Sequence, residues 1–502
     1  MTVLWTDALV LGPDGADTGL RALAVDRHWI VWIGADPIRA PRCERRISLG
    51  GRRISPGFVD GHAHLTITGL TMRGVDLSRT RSAGAVREEI ARYCERERRG
   101  FVWGNGWDDA APGWRGRGPV ASDVDAAAGE RHVYLTRVDA HSAVVSSKLF
   151  EDAGCVAHDG AETDDAGRFT GIVRREAHHA ARRYALANVP AGVLAEAHES
   201  AGAAAVAAGI TTVHEMAGPV HGAGERGLDI LLGQSLPVDV VVYYASEDAR
   251  IPLDRGLGTI GGDLNVDGAL GSRTAALTKP YADARGHTGF LYRDAGDCAG
   301  FFEAATRAGL QGGVHCIGEA ACEAAVVGLE RAARRTSLVS VRRLRHRLEH
   351  FEMSSPELIE RAARLGAAIS MQPAFDAAWG GDRRMYAKRV GGRRARAMNH
   401  FRAVARSGGV LGFGSDSPVT PFDPLGGVRA AVRSSNPAHG VPFGDAFRAA
   451  TLGAAALARQ ERIKGRLAAG YRADWVVWDG DPERKATVAA TVLGGRVVHG
   501  AI

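Results

Sequence analysis

Pro56-Gly57-Phe58-Val59-Asp60-Gly61-His62-Ala63-His64 is the stretch on which the fold turns. A short apolar run carries straight into a His-x-His pair. Period-2 alternation puts both imidazoles on one face of a strand end, close enough to share an ion. Seven further apolar runs follow: Ile210–His214, Val238–Tyr244, Leu264–Val266, Gly313–His315, Leu344–His350, Ala367–Met371 and Val410–Gly414. Ala- and Arg-rich helical stretches separate them. Strand then helix, eight times over, predicts an α/β fold with a (β/α)8 TIM-type barrel.

Spacing assigns positions within that barrel. His315 and His350 are 35 residues apart, and His350 and Asp416 are 66 apart, close to twice that. These three fall on the fifth, sixth and eighth strands. From His64 to His214, nominally one strand–helix unit, the gap is 150 residues. A large insert, about residues 73–199, is therefore expected after the first strand, covering the barrel mouth. Loops after barrel strands shape the active site.

The two ends of the chain read differently. Ala8–Leu11, Ala22–Val25 and Trp29–Ile33 read as short strands divided by turn signals, and so do Trp475–Trp478, Val488–Leu493 and Arg496–His499. Both ends are expected in one small β-sandwich, residues 1–55 with 465–502, flanking a barrel domain over 56–464.

Composition bounds the rest. The chain has 502 residues, is 45% hydrophobic and 24% charged, and so falls among globular proteins rather than disordered or fibrous ones. No run approaches the ~18 apolar residues of a membrane span, and the first residues carry no signal-peptide pattern. A cytoplasmic protein with no membrane partner is expected. The net charge of +6 comes from 63 basic and 57 acidic residues, well mixed, which argues against nucleic acid as a partner. The six cysteines contain no Cys-x-x-Cys pair and read as free thiols. Only five of the basic residues are lysine, at 148, 279, 388, 464 and 485.

His62, His64, His315, His350 and Asp416 all stand at the C-terminal ends of predicted barrel strands. Each alone suits a core histidine or a helix cap. Together, at the catalytic rim of one barrel, they read as a metal site. Arg273 is a candidate for an anionic substrate group, or for a structural role in its Gly-Ser-Arg-Thr loop. Trp107, with Trp103, either lines the pocket or packs the insert's core. Tyr386 and Gln372 lie near the seventh strand, within reach of a substrate. Cys316 reads as packing.

These motifs resemble those of the amidohydrolase superfamily, in particular its YtcJ-like branch (amidohydrolase family 3), which includes N-substituted formamide deformylases. The resemblance rests on Pro56–His64, His315, His350 and Gly414–Pro418. Trp103–Asp109, Asp139–Ser142, Gly209–Glu215, Val266–Thr274, His346–His350 and Gly470–Asp474 add to it. It implies a divalent metal, usually zinc, held by His62, His64, His315, His350 and Asp416. It also implies hydrolysis of a C–N bond in a small molecule, with Asp416 as proton acceptor and either His350 or the metal polarising the substrate oxygen, His350 being the ligand of a second ion or a stabiliser beside a single one. Many relatives carry, four residues before the Asp-Gly of the fourth strand, a lysine thought to be carboxylated so as to bridge two metals. Here that position is Asp263, and no lysine lies between Lys148 and Lys279. One tightly bound metal, with any second ion weak, is the simpler expectation. A deaminase acting on a nucleobase-like heterocycle is the alternative enzyme. A silent ligand-binding barrel and a nucleic-acid binder are the rivals from other classes. The oligomeric state is open, with a homodimer among the allowed assemblies.

Overall fold

The computed structural model describes residues 2–97, 100–109, 113–138 and 142–502, which divide into two compact units. Asp139, Ala140 and His141 of the family marks lie outside the described residues. Among the described residues no helix is long and apolar enough to cross a membrane.

The first unit comprises Met1–Ala63, Gly202–Met216 and Pro237–Ile502. Its central strands are β1 (Phe58–Ala63), β2 (Ile210–Ala217), β3 (Asp239–Tyr244), β4 (Thr259–Ile260), β5 (Gln311–Cys316), β6 (Arg347–His350), β7 (Ala368–Met371) and β8 (Val410–Phe413). They pair in two runs, β3-β2-β1 and β4-β5-β6-β7-β8, and every pair from β4 to β8 is parallel. Hydrogen bonds join the runs at both seams. The Gly261 amide donates to the Tyr244 carbonyl at 2.8 Å, and the Asp416 amide donates to the His62 carbonyl at 2.7 Å. Near-continuous burial of β1, β2, β5, β6 and β7 is what a parallel sheet covered by helices demands. The result is an α/β, TIM-barrel-type fold.

Two strands differ from the sequence reading. The fourth was expected at Leu264–Val266, but β4 is Thr259–Ile260 and Asn265 makes only an isolated bridge to His315. Gly261 and Gly262, at φ +79° and +77°, turn the chain out of the strand between them. The sixth was expected from Leu344, but Leu338–Leu344 is helical and Arg345, at φ +56°, ends the helix before β6 begins.

The chain ends form two sheets. One holds Thr2–Thr6, Ala22–Asp26, Trp29–Gly34 and Arg45–Ser48. The other joins Leu9–Val10 and Arg53–Pro56 to Trp475–Asp481, Lys485–Leu493 and Arg496–Gly500. Ile54 pairs with Val477 across the antiparallel ladder. Trp5, Leu23, Ile54, Trp475, Val477 and Val492 fill one core, with the Trp5 and Trp475 rings edge to face at 5.1 Å. The buried Lys464 ammonium is held by Asp239 at 2.6 Å and by Asp474 at 2.8 Å. Deleting everything after Gly470 removes three strands and one of these carboxylates. The truncated chain is expected in the insoluble fraction on expression, and a soluble, active truncation would contradict this packing.

The second unit comprises His64–Ala201 and Ala217–Leu236. It holds a six-stranded sheet in the order Ala161–Thr163, Phe169–Arg174, Ser142–Val145, Val133–Arg137, Val102–Trp107, Val75–Asp76.

Candidate metal centre

β1 delivers His62 fully buried, and its Nδ1 lies 2.9 Å from Glu349 Oε2. Arg347, also without solvent exposure, grips that carboxylate through Nε at 2.6 Å and through a second guanidinium nitrogen at 2.9 Å. It also donates to the Gly61 carbonyl at 2.5 Å and contacts His214 Nδ1 at 2.9 Å, with its guanidinium 4.4 Å from the centre of the Tyr243 ring. Burial works against the Glu349 charge, but Arg347 and His62 outweigh it and hold the carboxyl down at about 2. An anionic Glu349 accepts the Nδ1 proton of His62, so the Nε2 lone pair is presented on the opposite side of the ring. Burial keeps His62 itself below the usual histidine range.

His62 Nε2 lies 3.6 Å from Asp416 Oδ1 and 4.0 Å from Asp263 Oδ1. His350, at the end of β6, donates Nδ1–H to Gln372 Oε1 at 2.8 Å, leaving Nε2 3.7 Å from Asp263 Oδ1. His315, at the end of β5, has Nδ1 3.0 Å from the same oxygen. Burial opposes charge on His315, yet the Asp263 and Asp267 carboxylates raise it to about 9. The His350 ring centre stands 4.7 Å from that of His62 and 4.5 Å from that of His315. Of the predicted residues, His62, His315, His350 and Asp416 thus come together, with Asp263 among them. His64, two residues past His62, opens the second unit at the head of helix Leu65–Arg73, its ring centre 4.5 Å from that of His221.

Buried carboxylates fix the loops that carry these groups. Asp60 Oδ1 accepts from the His62 amide at 3.2 Å and from the Ser415 amide at 2.9 Å, linking β1 to the turn that bears Asp416. Asp267 accepts from the amides of Ala276, Ile317 and Gly318 at 2.8, 2.9 and 2.8 Å, which ties down the loop after β5. Burial raises both carboxyls to about 6. His350 and Asp416 sit at φ +67° and +55°, a left-handed backbone that non-glycine residues seldom adopt.

Ligand atoms of His62, Asp263 and His350 lie within 4.8 Å of one another, as those of a bound ion would. Imidazole nitrogens and carboxylate oxygens are the donors a borderline divalent cation takes, so the residues present fit such an ion.

The other residues singled out in the sequence have the following surroundings. Arg273 forks onto Asp283 at 3.0 and 2.9 Å and fixes its own loop rather than offering its guanidinium to a substrate anion. Trp107 is buried in the second unit's core with Nε1–H bound to the Leu135 carbonyl at 3.0 Å, the packing role of the two the sequence offered. Gln372 Oε1 accepts from His350 Nδ1. Cys316 is buried, and burial pushes its thiol well above the usual range, as suits packing. Glu349 and Arg347 went unassigned in the sequence reading, although His346–His350 marks where they lie.

The family model described as "Amidohydrolase family" matches residues 45–499. The YtcJ protein of Bacillus subtilis (strain 168) is 28% identical over 492 residues, covering 90% of each chain. The N-substituted formamide deformylase of Arthrobacter pascens is 23% identical over 525 residues, covering 94% of this chain and 92% of that one. Among solved structures, an uncharacterized metal-dependent hydrolase from Pyrococcus furiosus superposes with a TM-score of 0.79. It is 27% identical, with 96% of this chain and 100% of that one covered.

Proposed function

Because the chain belongs to the amidohydrolase family and is a metal-dependent hydrolase, we propose that it cleaves the C–N bond of a small-molecule amide or N-substituted formamide. The observation that carries this reading is the convergence of His62, His315, His350 and Asp263, with the Asp416 carboxylate 3.6 Å from His62 Nε2. The ligand set is His62, His64, His315, His350 and Asp416, and zinc is the ion that suits these donors. A bound divalent ion activates water and polarises a carbonyl oxygen.

The chain's own residues supply the rest. Asp416 takes a proton from the attacking water as its oxygen bonds to the carbonyl carbon. It returns that proton to the leaving nitrogen as the C–N bond breaks, releasing an acid and an amine. His350, fixed by Gln372 through Nδ1, presents its Nε2 lone pair to the ion, which leaves the polarising of the substrate oxygen to the metal. Glu349 and Arg347 hold the His62 ring in the tautomer that faces the site. In this reading the eight strands form a (β/α)8 barrel over 56–464 and the terminal sheets a β-sandwich. In the same reading the protein acts in the cytoplasm on a small molecule, without nucleic acid or membrane, and its oligomeric state stays open.

A panel of N-formyl, N-acyl and cyclic amides, followed by product chromatography, tests the bond. Turnover of N-substituted amides supports the proposal. Ammonia release confined to nucleobase-like rings would replace it with the deaminase reading.

A further inference from the structure

The chain's surplus charge is concentrated in one segment. Between Gly380 and His400, in the connection from β7 to β8, seven Lys and Arg residues stand against one acid, Asp382. That is a net of +6, the same as the formal net charge of the whole chain, so the two signs cancel over the remaining residues. Loops that follow barrel strands stand on the catalytic face. The surplus therefore lies at the end of the strands where His315 and His350 stand.

Three stretches of that face line an open hollow of about 470 Å³. Thr278 and Lys279 come from the stretch after β4, and Gly391, Arg393 and Arg394 from the stretch after β7. Glu319 opens the helix after β5, four residues past His315. Arg394 binds both Glu319 oxygens, with contacts of 2.8, 2.9 and 3.0 Å, and also donates to the Lys279 and Pro280 carbonyls. These bonds cancel the one acid of the hollow and fix Arg394 to its wall. Lys279 and Arg393 are exposed, and among the described residues no carboxylate lies within ion-pair distance of either. A charge run that only solvates a helix face is laced with opposite charges. Arg389 follows that pattern with Asp283, and Arg396 with Asp382, but Lys279 and Arg393 do not. Two uncompensated cations on a concave surface focus a positive potential within it.

We propose that this hollow is an anion site on the catalytic face, in which Lys279 and Arg393 take a carboxylate or phosphate group against the wall formed by Glu319 and Arg394. Ammonium and guanidinium groups bind such oxygens through charge-assisted hydrogen bonds. The anionic group is supplied by the end of a substrate or by a free anion, and the chemistry of the site is the same for both. Assignment to a substrate's end rests on the amide-hydrolase reading above; the anion site itself does not.

The test compares the parent with Lys279→Gln combined with Arg393→Gln, both exposed positions. The control, Arg334→Gln combined with Arg343→Gln, removes the same charge from the last turn of the helix after β5 and from the helix before β6, at the other end of the strands. Calorimetric titration with inorganic phosphate at low ionic strength is expected to find a site in the parent and control that is weaker by about tenfold or more in the hollow variant. Turnover of N-formyl-5-aminopentanoate against uncharged N-pentylformamide separates the two sources. If the anion is the substrate's end, the parent's kcat/KM favours the charged formamide by about tenfold. That preference disappears in the hollow variant and at about 0.5 M KCl, where charges are screened within a few ångströms. If it is a free anion, the phosphate site is lost in the hollow variant while the two formamides are handled alike throughout. Phosphate binding that is equal in parent and hollow variant, or weakened as much in the control, would overturn the anion site. Retention on duplex DNA that the hollow variant alone loses would also overturn it, in favour of a nucleic-acid surface. Failure of the parent to cleave either formamide would count against the amide reading and leave the phosphate titration to decide the site.

Discussion

Asp416→Asn is expected to give a folded protein whose turnover is slower by about 10²–10⁴-fold. The backbone of residue 416 does structural work through its amide bond to the His62 carbonyl at 2.7 Å, which the substitution leaves in place. Asparagine also tolerates the left-handed φ of +55° better than most residues. The amide oxygen can still face an ion, so part of the metal should remain. It cannot take a proton from water, and that is where the rate is lost. Steady-state kinetics beside a metal assay separates the two effects, and an unchanged rate would remove Asp416 from the proton path.

Arg347→Met is expected to cost about 3–5 kcal/mol of stability at neutral pH, because it strands the Glu349 charge in a dry interior. Arg347 and Glu349 are both fully buried and joined by two hydrogen bonds. In the parent, the Glu349 carboxyl is held down at about 2, against an ordinary 4.5. Its folded value is depressed, so its stabilising contribution is complete above the ordinary value and is lost as pH falls through about 2. The variant should lose that contribution at neutral pH. Urea midpoints at neutral pH provide the check. Arg347→Met combined with Glu349→Leu should recover much of the loss, since replacing both members of a buried pair is often neutral. A single-variant loss within about 0.5 kcal/mol, the size of an ordinary surface substitution, would contradict the network.

What could be read from the chain depended on range. The apolar runs that became β1, β2, β3, β5, β7 and β8 are local patterns, and they placed His62, His315 and Asp416 at strand ends. The fourth strand was misread because Leu264-Asn265-Val266 looks extended while the decisive fact, two successive left-handed glycines, lies just before it. The support layer was not legible at all. His62 and Glu349 are 287 residues apart, and no periodicity connects them. Arg273 and Trp107 were open for the same reason, since a guanidinium's partner and an indole's burial are set by tertiary contacts. The sequence reading expected an insert over about residues 73–199 after the first strand. The compact unit observed begins earlier, at His64, and also takes in Ala217–Leu236, because compactness follows packing and not chain order.

The central claim is that a metal held through the His-x-His pair, His62 and His64, is required for hydrolysis. It is tested most directly by measuring metal per chain, by inductively coupled plasma mass spectrometry, in the parent and in His62→Ala combined with His64→Ala, beside turnover of the same preparations. The account predicts bound divalent metal and activity in the parent, and neither in the folded double variant. A double variant that keeps the parent's metal content would contradict it.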